Sequence, residues 1–217
     1  SIPLLTALSF VAIISILGGN LLALRQDNVK RLLAYSSIAH MGYLLVVFIA
    51  AGIGGGETLA IEATCYFLFA YFLTTLGAFG VVSIVSIPDQ YKDATDISNY
   101  EGLFWRRPAL AIMFTAMLLS LAGIPLTVGF IGKFYIFSAG VQSNLWLLLA
   151  IVIIGSGISV FYYLRIIFAM TKQTASEPRI SIPVAGGWVM IVVTAAVIVF
   201  GIYPTPVISL INSLVLM

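Results

Sequence analysis

The sequence predicts an all-α fold: a polytopic bundle of about six transmembrane helices, one of them discontinuous. Three observations lead there. Only 8% of the residues are charged and 61% are hydrophobic, whereas a soluble domain needs about 25% charged residues to face water. With a mean hydropathy of +1.14, the surface must face lipid. Charge-free runs are long enough to cross a bilayer, and the basic residues gather in alternate loops.

A helix needs about 20 apolar residues to cross a hydrocarbon core about 30 Å thick. Every backbone group inside that core must be bonded internally, so such runs fold as helices. Residues 1–24 form the first span, and 32–56 the second, interrupted only by His40. Residues 63–88 form the third. From Pro108 to Leu164 there is a single charge, Lys133, and length for two more. The sixth runs from about Val184 to Tyr203, where Pro204 and Pro206 stop it.

The loops test this count independently. Loop 25–31 carries Arg25, Lys30 and Arg31; loop 88–107 carries Lys92, Arg106 and Arg107; loop 165–182 carries Arg165, Lys172 and Arg179. The turns around Gly54 and Gln142 carry no Lys or Arg. All of the 10 basic residues except Lys133 therefore lie on one side, which the positive-inside rule makes cytoplasmic. Both chain ends then face outward. Trp105, Trp146 and Trp188 fall near span ends, where amphipathic rings favour the interface. Arg165, some 20 residues into the fifth span, is expected to snorkel to the inner face. Ser98 and Asn99 are expected to cap a short surface helix.

Other functions are excluded by composition. A net charge of +2 gives no footprint for nucleic acid. Cys65 is alone, so neither a disulfide framework nor a cysteine metal cluster is available. One His and one Cys cannot ligate zinc, haem or an iron–sulfur cluster. The GIGGG run at 52–56 lacks the following Lys-Ser/Thr of a phosphate loop and reads as a turn. Ser1 opens inside an apolar run with no basic segment before it, unlike a signal peptide; a piece of a longer membrane protein is expected.

Lys133 lies in SLAGIPLTVGFIGKFYIF. Pro125 removes a backbone donor and disfavours helix just before it, and Gly123, Gly129 and Gly132 loosen the same stretch. Pro108 to Gln142 also exceeds the length of one crossing. A helix broken near 123–129 explains both facts, and broken helices mark ion sites in transporters. The alternative is an unbroken helix with Lys133 snorkelling at its outer end; the cost of an intramembrane charge favours the first. His40, in LLAYSSIAHMGYLL, is either a one-step proton relay with an ordinary pKa near neutrality or a packing residue with a hydrogen bond. Ser36, Ser37 and Tyr43 share its helix face, as a wet polar stripe or as interhelical hydrogen bonding. Glu57 and Glu62 flank the outer turn and read as interfacial.

These residues carry a resemblance. GNLLALRQDNVKRLLAYSSIAHMGYLL at 19–45 is similar to the signature shared by the antiporter-like subunits of respiratory NADH:quinone oxidoreductase (complex I) and by cation/proton antiporter subunits. LSLAGIPLTVGFIGKFYIF at 119–137 resembles the broken helix of the subunit N family, where subunit M typically has a Glu in place of the Lys. GLFWRRP at 102–108 resembles the same family. The resemblance spans essentially the whole chain and implies a family fold of two inverted repeats, each with a broken helix. Residues 1 to about 175 then match the second repeat, and about 184–203 a terminal helix.

The resemblance also implies function. Lys133 matches the family's buried Lys and His40 the His after Tyr-Ser-Ser, both on a polar axis for proton transfer. The expected role is a non-redox, proton-translocating subunit, driven by quinone reduction elsewhere in the complex. NAD, FMN, iron–sulfur clusters and quinone are expected in other subunits and no cofactor in this chain. The expected partners are other membrane subunits and the lipid bilayer, with no soluble substrate bound directly. A subunit of a multisubunit sodium/proton antiporter is the alternative, and GFIGKF speaks against it.

Overall fold

Long apolar runs satisfy their backbone only by coiling, and the computed structural model, which describes residues 2–53, 57–86, 95–173 and 184–215, is built from helices. In chain order these are α1 (Ile2–Leu24), α2 (Val29–Ile53), α3 (Glu57–Ser86), α4 (Leu103–Arg106), α5 (Pro108–Ala122), α6 (Val128–Gln142), α7 (Trp146–Thr171), α8 (Val184–Ile202) and α9 (Thr205–Val215), with a 3-10 turn at Ile97–Tyr100. Lys92, Arg179, residues 54–56 of the glycine-rich turn and the side chain of Glu57 lie outside the described residues.

Four helices, α1, α2, α3 and α7, are each long and apolar enough to cross a membrane, and the α8–α9 pair passes the same test together. The remaining expected span is the α5–α6 pair. Each half has 15 residues, or about 22 Å of helix, too short to cross alone. Pro108 starts α5 at a position where its missing N–H costs nothing.

The three basic loops meet at one end of the bundle. The backbone N–H of Val29 donates to the Thr95 carbonyl at 2.6 Å, and that of Ile97 to the Asp27 carbonyl at 2.9 Å. The Arg165 guanidinium donates to the Gln26 carbonyl and to the Asp27 carboxylate at 3.3 Å. Arg165 therefore clasps the α1–α2 loop instead of snorkelling free. Lys172 pairs with Glu101 at 2.7 Å, and the Trp105 indole donates to the Thr171 carbonyl.

Two expectations are corrected here. Ser98 and Asn99 do not cap a surface helix; both lie within the 3-10 turn, which Asp96 precedes. The reason is the pairing of Asn28 with Asp96, which draws this stretch onto the α1–α2 loop. The cap that forms instead is Asn28, whose Oδ1 accepts from the Arg31 N–H and starts α2. Pro204 does end α8, but the chain is not released there. It bends by 84° and resumes as α9, with Pro206 in the first turn, where proline is tolerated.

Two apolar clusters form the core. One, toward the basic-loop end, includes Ala23, Leu33, Leu103, Phe114 and Tyr162. The other, toward the opposite end, includes Ile16, Tyr43, Val46, Ile136 and Val152. On α1, α2 and α7 the buried polar residues Asn20, Ser36, His40 and Ser159 fall between the two in sequence. A polar layer thus crosses the middle of an apolar bundle, and the break between α5 and α6 lies in it.

Candidate functional site

The break is made by local chemistry. Gly123 adopts φ 82° and ends α5 in the left-handed conformation, its N–H bonding the carbonyls of Leu119 and Ser120. Such a C-terminal turn is open to glycine and strained for other residues. Leu126 is also left-handed, at φ 74°, and the Thr127 hydroxyl ties the link by donating to the Ile124 carbonyl at 2.7 Å. The chain then re-enters a helix at Val128.

Breaking a helix leaves carbonyls unpaired at the C-terminal end of its first half. The last residue of α5 is Ala122, and its carbonyl accepts from Lys133 Nζ at 2.8 Å. Lys133 is the sixth residue of α6, about 7 Å along the axis from its start. Its side chain therefore turns back to the break, and the ammonium caps a half-helix whose dipole end is negative. Nζ also donates to Ser156 Oγ on α7 at 2.9 Å and stands 5.4 Å from the centre of the Tyr43 ring on α2, within cation–π range.

The two half-helices touch directly. A Cβ at Gly129 would fall on the Ser120 carbonyl, and the Gly129 N–H donates to Ser120 Oγ at 3.1 Å. Thr74 on α3 lies 3.0 Å from Ser120 Oγ, and its own proton goes to the Ala70 carbonyl. The Ser120 hydroxyl therefore donates to Thr74. This chain of hydrogen bonds pins α6 to α5 and α5 to α3.

His40 and Lys133 line one small cavity together with Phe67, Tyr71, Thr74, Ser120 and Gly129. It has room for about one water molecule. His40 is the twelfth residue of α2, near its middle. Its ring is 4% exposed and meets Tyr43 edge-on at 5.6 Å and Tyr71 at 5.1 Å. Its Nδ1 has no hydrogen-bond partner among the described residues.

Not all the expected neighbours take part. The Ser36 and Ser37 hydroxyls bond the Leu33 carbonyl of their own helix, so they form no free stripe beside His40. Glu62 is half-buried in the second turn of α3, away from this cavity. Ser156, Ser120 and Thr74 were not singled out by the sequence. Their only signal is a hydroxyl on an otherwise apolar helix. Among the described residues no group of three or more His, Cys, Asp or Glu is placed to hold a metal ion.

Comparison with known proteins places this geometry. The chain is 49% identical over 211 residues to the NADH-quinone oxidoreductase subunit N of Ectopseudomonas mendocina (strain ymp), with 95% of this chain and 42% of that protein covered. It therefore spans less than half the length of that curated relative. Among solved structures, respiratory complex I from Thermus thermophilus with bound Aureothin contains a chain that superposes with a TM-score of 0.82 at 30% identity, over 94% of this chain and 45% of that one. A chain of the Mrp complex from Dietzia sp. DQ12-45-1b shares the fold, with a TM-score of 0.82 at 16% identity over 95% of this chain and 46% of that one. A family model described as NADH:quinone oxidoreductase/Mrp antiporter, TM, matches residues 3–159. With most of its length matched and its broken helix intact, the chain belongs to the NADH:quinone oxidoreductase/Mrp antiporter transmembrane family.

Proposed function

We propose that this chain is the second inverted repeat and terminal helix of a subunit-N-like, proton-translocating membrane subunit of NADH:quinone oxidoreductase, and that Lys133 and His40 carry the proton. The observation that supports it most is the placement of the Lys133 ammonium on the orphan carbonyl of a half-helix, across one small cavity from His40. A lysine there holds a charge between two environments: the half-helix end and Ser156 favour the ammonium, and the apolar walls favour the amine. One water in the cavity would join Nζ to the imidazole, whose two nitrogens accept and release a proton in a single relay step.

Redox chemistry is assigned elsewhere: NAD, FMN, iron–sulfur clusters and quinone belong to partner subunits, and quinone reduction acts here only through neighbouring membrane helices. The antiporter reading shares the fold, but 49% identity to a subunit N supports the oxidoreductase reading.

The test of the relay is His40. Proton uptake into vesicles by the assembled complex should fall about tenfold or more when His40 becomes Ala. His40→Gln bonds without titrating near neutrality, so it should not restore uptake. Pumping with Gln equal to wild type would make His40 a packing residue.

The proposed topology puts the basic-loop end in the cytoplasm of a bacterial cell, with the chain an inner-membrane protein. Cys65 is exposed, so it is first replaced by Ser. Single cysteines at 95–107 should then resist an impermeant thiol reagent in intact cells and react after lysis. Labelling from outside would invert the model.

A further inference from the structure

The proposed mechanism needs Lys133 to exist both charged and neutral, and each state asks for a different partner. An ammonium has three donors and no acceptor; a neutral amine has a lone pair that must be given a proton. The Ala122 carbonyl can only accept, so it can take an N–H in either state but cannot serve the lone pair of the amine. The other polar contact of Nζ is Ser156 Oγ at 2.9 Å, and a hydroxyl both accepts and donates.

Beside it, at Gly155, α1 and α2 pack against α7 through a buried amide. Asn20 is fully buried. Its Nδ2 donates to the Ile16 carbonyl at 2.8 Å and to the Tyr43 hydroxyl oxygen at 3.2 Å, and its Oδ1 accepts from the Tyr162 hydroxyl at 3.0 Å. The Ile16 carbonyl fixes the amide, since only an N–H can face it. The Tyr43 hydroxyl that receives this N–H belongs to the ring that Lys133 Nζ faces at 5.4 Å. Ser156 Oγ accepts from the Lys133 ammonium, and its own proton is not spent in that bond.

We propose that Ser156, next to the Gly155 on which Asn20 and Tyr43 pack, is a positioning residue that exchanges hydrogen-bond roles with Lys133. It accepts from the ammonium and turns its proton onto the amine once the lysine is neutral. The inference rests on Lys133 being the proton carrier. No bond other than hydrogen bonds changes in this exchange. Among the described residues, the titratable groups around Lys133 are His40 and Tyr43 from α2 and Tyr71 from α3; α5 and α7 offer the Ala122 carbonyl and the Ser120 and Ser156 hydroxyls.

The experiment compares Ser156→Ala and Ser156→Thr in the assembled complex, with proton uptake measured against pH and Lys133→Ala run alongside. Ser156→Ala is expected to slow uptake about tenfold, the value of a hydrogen bond to a charged group, and to displace the pH profile. Ser156→Thr, which keeps the hydroxyl, is expected to recover both. A purely structural serine predicts less assembled complex with a superimposable pH profile, and that result overturns the proposal, as does a Thr variant that recovers nothing. Loss of uptake in Lys133→Ala with a normal Ser156→Ala refutes the role of Ser156 alone. Normal uptake in Lys133→Ala refutes the site itself.

Discussion

Replacing Lys133 by Ala is expected to slow proton uptake by about a hundredfold or more, since it removes a positioned proton-transfer group, and to slow the coupled quinone reduction with it. Lys133→Arg is the sharper variant. It keeps a cation to place on the Ala122 carbonyl and the Ser156 hydroxyl, so the half-helix stays capped. Yet guanidinium does not release its proton in proteins. Assembly should therefore be retained with Arg while pumping is lost. An anchor that served only by its charge would pump normally with Arg. Proton uptake into vesicles reconstituted with each variant separates the two.

The second large effect is on stability and comes from a single added methyl. Gly129→Ala would place a Cβ on the backbone carbonyl of Ser120, where no side chain can rotate away. The halves of the broken helix must separate, at a cost of about 3 kcal/mol, the upper end of ordinary overpacking. The Gly129 N–H would also leave the Ser120 hydroxyl. A fall in the unfolding midpoint of the purified complex, with pumping lost in what remains assembled, is the expected result. Gly157→Ala is the control: a Cβ there meets nothing within 4 Å, and alanine is the better helix former. If both variants unfold alike, the close crossing at Gly129 is not what holds the break.

Much of this was legible because lipid imposes harsh rules on sequence. Charge-free length marked the spans, and Pro125 with Gly123 and Gly129 marked the break, because each has a backbone consequence that any surroundings must respect. The direction of the Lys133 side chain was not legible. From spacing alone it could have reached outward as easily as back to Ala122. Ser156 was hidden for a different reason. Hydroxyls on apolar helices commonly bond a carbonyl of their own helix, as Ser9, Ser36, Ser37 and Thr64 do here, so a serine that serves another helix has no distinguishing mark. Ser98 and Asn99 misled because capping preference is local, whereas the pairing of Asn28 with Asp96 joins residues far apart in the chain. Pro204 was a correct stop signal, but a stop says nothing of what resumes at Thr205.

The elbow between α8 and α9 has a mechanical consequence for the break. A Cβ at Gly201 would overlap the backbone of Thr127, so the end of α8 rests on the link between the half-helices, backbone against backbone. At the preceding residue, Tyr66 on α3 donates to the Phe200 carbonyl at 2.7 Å. Side chains absorb small displacements by changing rotamer; two bare backbones in contact have no such compliance. The α9 helix leaves α8 at 84° directly after this contact. At the other end of that link, the flexible four-carbon stem of Lys133 lies against Gly123 and ends on the Ala122 carbonyl. The last span is thus a rigid stop for the joint on which the Lys133 charge rests.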